Sequence, residues 1–440
     1  MSKHNLKPIV LEVRLNQVRV GTITNLPYDR NLFVFDDDYI TSSDRPTLSL
    51  GFADAHGRLI TEPQESQTKV PPFFSNLLPE GALREYLAKR GGVKEAREFF
   101  LLWLLGADLP GAVVVQDAEG RPLPPIEGPA QDKRTRNSVE GAMRFSLAGV
   151  QLKFSAVGQP DKGLTIPVEG RGGNWIVKLP SQSFLRVPEN EFSMMRLAGA
   201  VGIEVAEAGL IPTNEIEGLP REMKNDKSNS LYVKRFDRAA NGGRIHVEDF
   251  NQVYRQYPAA KYKNFSYGNM AGDIWRVLGE RGLAEFVRRL IFNAAIGNAD
   301  MHLKNWSLIY LDGKTPQLAP GYDFVSTIQY SSFDERMALS MAKEKDPQYL
   351  DTELLERFAI RARVPSMLVI DTGLETAERI VKAWAQLKSE LPLDAESKER
   401  IDQQFKYVPI TRRFLPGSLA TTPPDRTIRK KAVRRHNLSR

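Results

Sequence analysis

Eight consecutive residues, Asn298-Ala299-Asp300-Met301-His302-Leu303-Lys304-Asn305, put an acid, an imidazole, a lysine and two amides between an apolar helical pattern and strand-like residues 306–311. Such side chains also cap helices and satisfy turn amides, and singly each allows that reading. Together they fit phosphoryl transfer from a nucleotide. That chemistry needs a carboxylate to accept the proton of an acceptor hydroxyl, and an oxygen ligand for magnesium a short loop away. Asp300 and Asn305 have the required separation, and Tyr322-Asp323-Phe324, beyond an Asp312-Gly313 turn, is placed to supply the second magnesium oxygen.

The other parts of a nucleotide site come earlier in the chain. Ser146-Leu147-Ala148-Gly149-Val150-Gln151-Leu152-Lys153 sets small residues in a turn between apolar strand ends. Backbone N–H groups there can approach phosphate, although an ordinary hairpin would read the same way. Lys178 sits inside the apolar run Trp175-Ile176-Val177-Lys178-Leu179-Pro180, where an ammonium needs an anion to be buried. Glu191 then opens a helical pattern whose stripe Met194, Ala198 and Val201 shares its face. A strand lysine paired with a helix glutamate holds the α- and β-phosphates in protein kinases; a half-exposed glutamate in a first helical turn would do no chemistry. Tyr232-Val233-Lys234-Arg235-Phe236-Asp237-Arg238 is a strand ending in charge, and such a segment can offer backbone groups to adenine.

Several elements must position these groups. The chain opens with β patterning at residues 9–20, 32–35 and 48–51. Helical patterning follows, from Pro79 with Glu80 in the first turn and again over 96–105, then a buried strand at 112–116. The Pro-, Gly- and charge-rich residues 119–136 mark a boundary. Strand, glycine turn and strand follow from about residue 144. From about 266 helical periodicity dominates, with helices predicted over 286–296, 352–360 and 374–391. The patterns predict an α+β chain, mixed in its N-terminal part and mainly helical in its C-terminal part. Residues 1–118 form an N-terminal subdomain, 119–143 a linker, 144–238 a nucleotide-binding portion, 239–410 a helical lobe and 411–440 a tail.

Composition narrows the chemistry further. The 440 residues contain no cysteine and five histidines, none at ligand spacing with another, which excludes disulfides, thiolate nucleophiles and Cys-ligated metals. No apolar run approaches the roughly 18 residues of a membrane span, so a soluble, cytoplasmic protein with no membrane partner is expected. The net charge of +7 is concentrated: residues 411–440 carry nine basic side chains against Asp425, leaving the rest of the chain near neutral. Pro416, Gly417, Pro423, Pro424 and few apolar residues predict a disordered tail able to neutralise nucleic-acid phosphates.

With Leu48-Ser49-Leu50, Phe73-Phe74-Ser75-Asn76-Leu77-Leu78-Pro79 and residues 106–114 added, the motif order resembles the HipA family, the serine/threonine-kinase toxins of bacterial type II toxin–antitoxin systems. The resemblance runs from about Leu11 to the early 400s and implies a two-lobed, protein-kinase-like fold. Residue by residue, it implies Asp300 as catalytic base, Asn305 and Asp323 as magnesium (Mg2+) ligands, and Lys178 as a phosphate lysine supported by Glu191. ATP contacts are implied at Ala148, Gly149, Val150, Gln151, Leu152 and Lys153, at Lys234, Arg235 and Phe236, at His302, Leu303, Lys304 and Asn305, and at Tyr322. It further implies autophosphorylation on Ser146 and a HipB-type helix-turn-helix antitoxin through which operator DNA is bound. A protein substrate is also implied, an aminoacyl-tRNA synthetase in well-studied members. Residues 181–188, in the place of the family's activation loop, are short, and the tail beyond Phe414 falls outside the resemblance. Two alternatives remain. One is a small-molecule kinase of the aminoglycoside type, which the N-terminal matches oppose. The other is a non-catalytic corepressor acting with an antitoxin on DNA, which the filled polar positions oppose.

Overall fold

Along β1 (Ile9–Leu15), Leu11, Val13 and Leu15 are buried while Glu12 and Arg14 are partly exposed, the period-2 pattern of a strand with one face on a core. The computed structural model describes residues 8–121, 152–161, 163–166, 173–181, 183–219, 227–330 and 335–417. β1 lies between β2 (Val18–Leu26) and β5 (Val113–Asp117), and β3 (Arg30–Phe35) and β4 (Gln64–Gln67) complete an antiparallel sheet in the order β4-β3-β2-β1-β5. Its core takes in Phe33, Phe52, Phe73, Phe74 and the helix Glu98–Leu105. Gly106 follows that helix because a Cβ there would stand 2.1 Å from the Val115 carbonyl oxygen.

A second antiparallel sheet has the order β7-β6-β8-β10-β9, from β6 (Lys153–Gln159), β7 (Gly163–Thr165), β8 (Trp175–Lys178), β9 (Ala208–Pro212) and β10 (Asn229–Lys234). A third joins β11 (His246–Asp249), β12 (Ser307–Tyr310) and β13 (Gln317–Leu318). These sheets fall within one compact unit, Met1–Met195, Glu204–Asn264 and His302–Asp323; Arg196–Ile203, Phe265–Met301 and Phe324–Arg440 form the other.

The second unit is built on helices Tyr267–Ile296, Thr352–Ala362, Ser366–Leu387 and Ala395–Tyr407. Helix Tyr267–Ile296 begins with a reciprocal Ser266/Asn269 cap, is interrupted at Gly279 and ends on left-handed Gly297. Its start at Tyr267, well before the predicted residue 286, is set by that cap; Gly268, Gly272, Gly279 and Gly282 dilute the apolar pattern and mask the first half of the helix in the sequence. Residues 48–51 are not a strand: Ser49 caps a 3-10 turn, Leu50–Phe52, by accepting from the Gly51 N–H. Glu80 precedes the helix Gly81–Gly91 rather than lying in its first turn. Residues 418–440, the larger part of the basic tail, lie outside the described residues.

Candidate active site

Lys178 ends β8, cross-strand from Lys153 on β6 and Leu231 on β10. Lys178 is 5% exposed, and its ammonium donates to Glu191 Oε1 at 2.5 Å and to the Asp323 carboxylate. Glu191 lies one turn inside the helix Val187–Val201, fully buried rather than half-exposed. Asp323 Oδ2 also lies 3.5 Å from Lys153 Nζ. Two ammonium groups and two carboxylates thus meet, with Lys178 and Glu191 buried and Lys153 reaching in from an exposed position.

Burial works against charge on Lys178, Asp323 and Glu191. It disfavours the Lys178 ammonium, but Asp323 and Glu191 outweigh it and raise the lysine above its ordinary range. Burial likewise opposes ionisation of Asp323, yet Lys153 and Lys178 hold that carboxyl well below the usual carboxylate range. Burial, only partly offset by Lys178 and reinforced by Asp323, pushes Glu191 upward. Asp323 has φ of 55°, a left-handed backbone that aspartate tolerates better than most residues and that recurs at functional sites. Gly321, two residues before, is clamped by its N–H on the Glu204 carbonyl (2.7 Å) and its C=O on the Ala206 N–H (3.1 Å).

Tyr322 ties this segment to the polar string. Its hydroxyl donates to the Lys304 carbonyl at 2.9 Å and lies 2.6 Å from Ser307 Oγ, and its ring is 5.7 Å from that of Phe236. Leu303–Asn305 is a 3-10 turn in which the Asn305 N–H donates to the His302 carbonyl and the Leu303 N–H to that of Lys261. His302 is buried edge-on against Tyr262 at 4.9 Å; burial and the Lys261 charge push its imidazole down to about 3, so it is neutral.

Asp300 belongs to the second unit. Left-handed Gly297 releases the chain from its helix, and Thr327 Oγ1 donates to the Gly297 carbonyl (2.9 Å) and accepts from the Ala299 N–H (2.8 Å). Asn298 Oδ1 accepts from the Asp300 N–H at 3.0 Å, while its amide donates to Asn293.

Within the first unit, the structure brings together Lys153, Lys178, Glu191 and Asp323, and sets Tyr322 against Phe236 and the Lys304 backbone. It does not bring the Lys234 and Arg235 side chains to that cluster. Lys234 pairs with Glu207 at 2.8 Å, and buried Arg235 is held by Asp237 and Ser155. Leu152 is part of the apolar core under the second sheet. Ser146, Ala148, Gly149, Val150 and Gln151 lie outside the described residues. Two groups were not anticipated. Asn76 and Glu80 surround the Lys304 ammonium, and Glu248 is buried on Ser49, Leu50 and Tyr310. Local pattern carries no signal for either, because the partners are distant in sequence.

Among the described residues no cluster of three His, Cys, Asp or Glu could enclose a metal ion. The Asp323 carboxylate and the Asn305 amide are nevertheless hard oxygen donors, the set that suits a magnesium ion arriving on phosphate oxygens.

Residues 11–116 match the HipA N-terminal domain and residues 145–387 the HipA-like C-terminal domain. The chain belongs to the HipA family. Y4dM of Sinorhizobium fredii, named as a candidate kinase, is 48% identical over 414 residues covering 93% of this chain and 99% of that protein. The serine/threonine-protein kinase toxin HipA of Shewanella oneidensis is 26% identical over 424 residues, 88% of this chain and 91% of that one. A solved Shewanella oneidensis MR-1 complex of HipA, HipB and operator DNA matches with a TM-score of 0.68 at 24% identity, over 92% of this chain and 97% of that chain. The α+β, kinase-like HipA fold expected from the sequence is therefore the fold observed. No helix among the described residues is long and apolar enough to cross a membrane.

Proposed function

We propose that this HipA-family chain is an ATP-dependent serine/threonine protein kinase, the toxin of a type II toxin–antitoxin module. The observation that carries the reading is the burial of Lys178 between Glu191 and Asp323. Such a cluster is expensive in a stability sense and gains its use when phosphate oxygens approach. Lys178, held by Glu191, and Lys153 meet phosphate charge, and Phe236 with Tyr322 covers adenine beside the backbone of residues 234–236. The backbone of residues 302–305 and the small-residue turn from Ala148 complete the ATP contacts. Asp323 and Asn305 would hold magnesium, which when bound neutralises charge developing on the transferred phosphoryl group. Asp300 takes the proton of the acceptor hydroxyl.

The finer parts of the reading rest on the family. Ser146 is the proposed autophosphorylation site, and a phosphate there, adding about −1.5 to −2 charges, would expel the turn from an anionic ligand. A HipB-type antitoxin and operator DNA are the proposed partners, supported by the composition of the matching Shewanella complex. The proposed target is a protein of translation such as an aminoacyl-tRNA synthetase, and the proposed location is the cytoplasm. Residues 1–118, 144–238 and 239–410 are the proposed functional portions.

Incubating the full chain with ATP, magnesium and a cell lysate tests the reading. Labelled protein supports it, a phosphorylated metabolite supports a small-molecule kinase, and no transfer leaves a corepressor.

A further inference from the structure

Lys304 lies in the polar string, yet its ammonium is turned toward the N-terminal part of the chain. Nζ donates to the Asn76 carbonyl at 3.0 Å and to Asn76 Oδ1 at 3.3 Å, with Glu80 Oε1 at 3.1 Å and Asp249 Oδ2 at 3.9 Å. An ammonium has three N–H donors, so these oxygens can engage all of them. Asn76 is itself locked: its amide donates to the Pro72 and Gln256 carbonyls at 2.8 and 2.7 Å, and its oxygen accepts from Asn251 at 2.9 Å.

Glu80 reaches the string from its other side as well. It pairs with Lys261 at 3.0 Å, whose carbonyl accepts from the Leu303 N–H, and Tyr262 beside it packs on His302. One carboxylate thus touches both Lys304 within the string and Lys261, whose backbone holds Leu303. It stays ionised through the neutral range, because Lys304 and Lys261 overcome its burial and lower it to about 2.

We propose that Glu80 is a positioning residue for phosphoryl transfer: acting through Lys304 and Lys261, it holds residues 302–305 in place, and the Lys304 ammonium anchors the loop rather than contacting phosphate. The proposal rests on the kinase reading above and deepens it. It assigns the residues around Asn76 and Glu80 a part in catalysis, so the N-terminal portion is a component of the active site's support.

The test compares full-length wild type with Glu80→Gln, Lys304→Met and the double variant. Two readouts are taken: steady-state phosphate transfer from magnesium–ATP, and hydrogen exchange of the amides of residues 302–305 without nucleotide. Each single variant should lower kcat about 10- to 100-fold with KM for ATP within about threefold, and should speed exchange at 303 and 305. The double variant should lose less than the product of the two single losses, because the Glu80–Lys304 contact is shared while the Glu80–Lys261 contact is lost only with Glu80. A Glu80→Gln protein with wild-type kcat and wild-type exchange overturns the proposal. So does a Lys304→Met protein whose KM rises more than tenfold at unchanged kcat, which would make Lys304 a phosphate contact. Absence of transfer by wild type would overturn the kinase reading alone, and the exchange comparison would still decide whether Glu80 holds the loop.

Discussion

Glu248 and Ser49, 199 residues apart in the chain, share a buried hydrogen bond in which the serine hydroxyl donates to the carboxylate. The Leu50 N–H (2.9 Å) and the Tyr310 hydroxyl (2.5 Å) also donate to Glu248, and no cation pairs with it among the described residues. A 3-10 turn near the N-terminus is thereby pinned to β11 and β12.

This pin should make stability depend on pH. Burial, against the pull of its three donors, pushes Glu248 up to about 7. A carboxyl raised in the folded state contributes most below its unfolded value and loses that contribution as pH rises through 7. His246, which stacks on Tyr310 and is lowered by burial to about 4, acts oppositely, losing stability as pH falls below 6.5. Comparing wild type with Glu248→Gln in urea at pH 5 and pH 8 isolates the first effect. The gap between the two proteins should move by about 2–3 kcal/mol at most in favour of the glutamine at pH 8. An identical gap at both pH values would mean that Glu248 is not held as described.

Asp300→Asn should abolish phosphate transfer, by about 10²- to 10⁴-fold for loss of a general base, while magnesium–ATP still binds within about threefold. Calorimetry beside a transfer assay checks this, and wild-type turnover in the variant would remove Asp300 from the chemistry.

Lys178→Met leaves Glu191 and Asp323 buried with their shared cation gone. Removing one partner of such a cluster costs about 3–5 kcal/mol, so the urea midpoint should fall sharply and nucleotide binding should be lost. Asp323→Asn keeps one acceptor for Lys178, and should retain more stability while weakening binding only when magnesium is present.

Gly297→Ala should destabilise the second unit by about 2 kcal/mol. The position has φ of +68°, and an added Cβ would stand 2.5 Å from Ile328 Cγ2. Turnover should fall with it, because the Gly297 carbonyl and Thr327 set the path of Ala299 into Asp300. Thermal denaturation and the transfer assay should move together; a stable variant with normal turnover would show that this turn does not position Asp300.

The Lys178–Glu191 pair was legible because a lysine in an apolar strand demands an anion and Glu191 shares the apolar stripe of the next helix. That Asp323 is a second partner was not legible, since it lies 145 residues from Lys178 and local periodicity says nothing about such pairs. Glu80 was misread for the same reason. Its spacing suggested a first-turn acid, whereas Lys261, 181 residues on, takes its charge. Residues 48–51 look like a strand by apolar content, but the Ser49 hydroxyl takes the Gly51 N–H and distant Glu248 takes the Leu50 N–H, so these donors are not left for a sheet. Membership of the HipA family was legible from the motif order, which depends on residue types rather than on long-range partners.

The first compact unit needs residues 302–323 as well as residues 1–195 and 204–264, while residues 265–301 fold with the other unit. On a ribosome, β11 therefore waits for its neighbour β12 until more than fifty further residues have been synthesised. Until residues 310 and 323 have been made, Glu248 lacks its Tyr310 donor and Lys178 lacks its second carboxylate. A truncated or stalled nascent chain cannot assemble the cluster, so any activity it supports begins only after most of the protein has been translated. A chain stopped before residue 323 therefore ends with Lys178 facing one carboxylate instead of two.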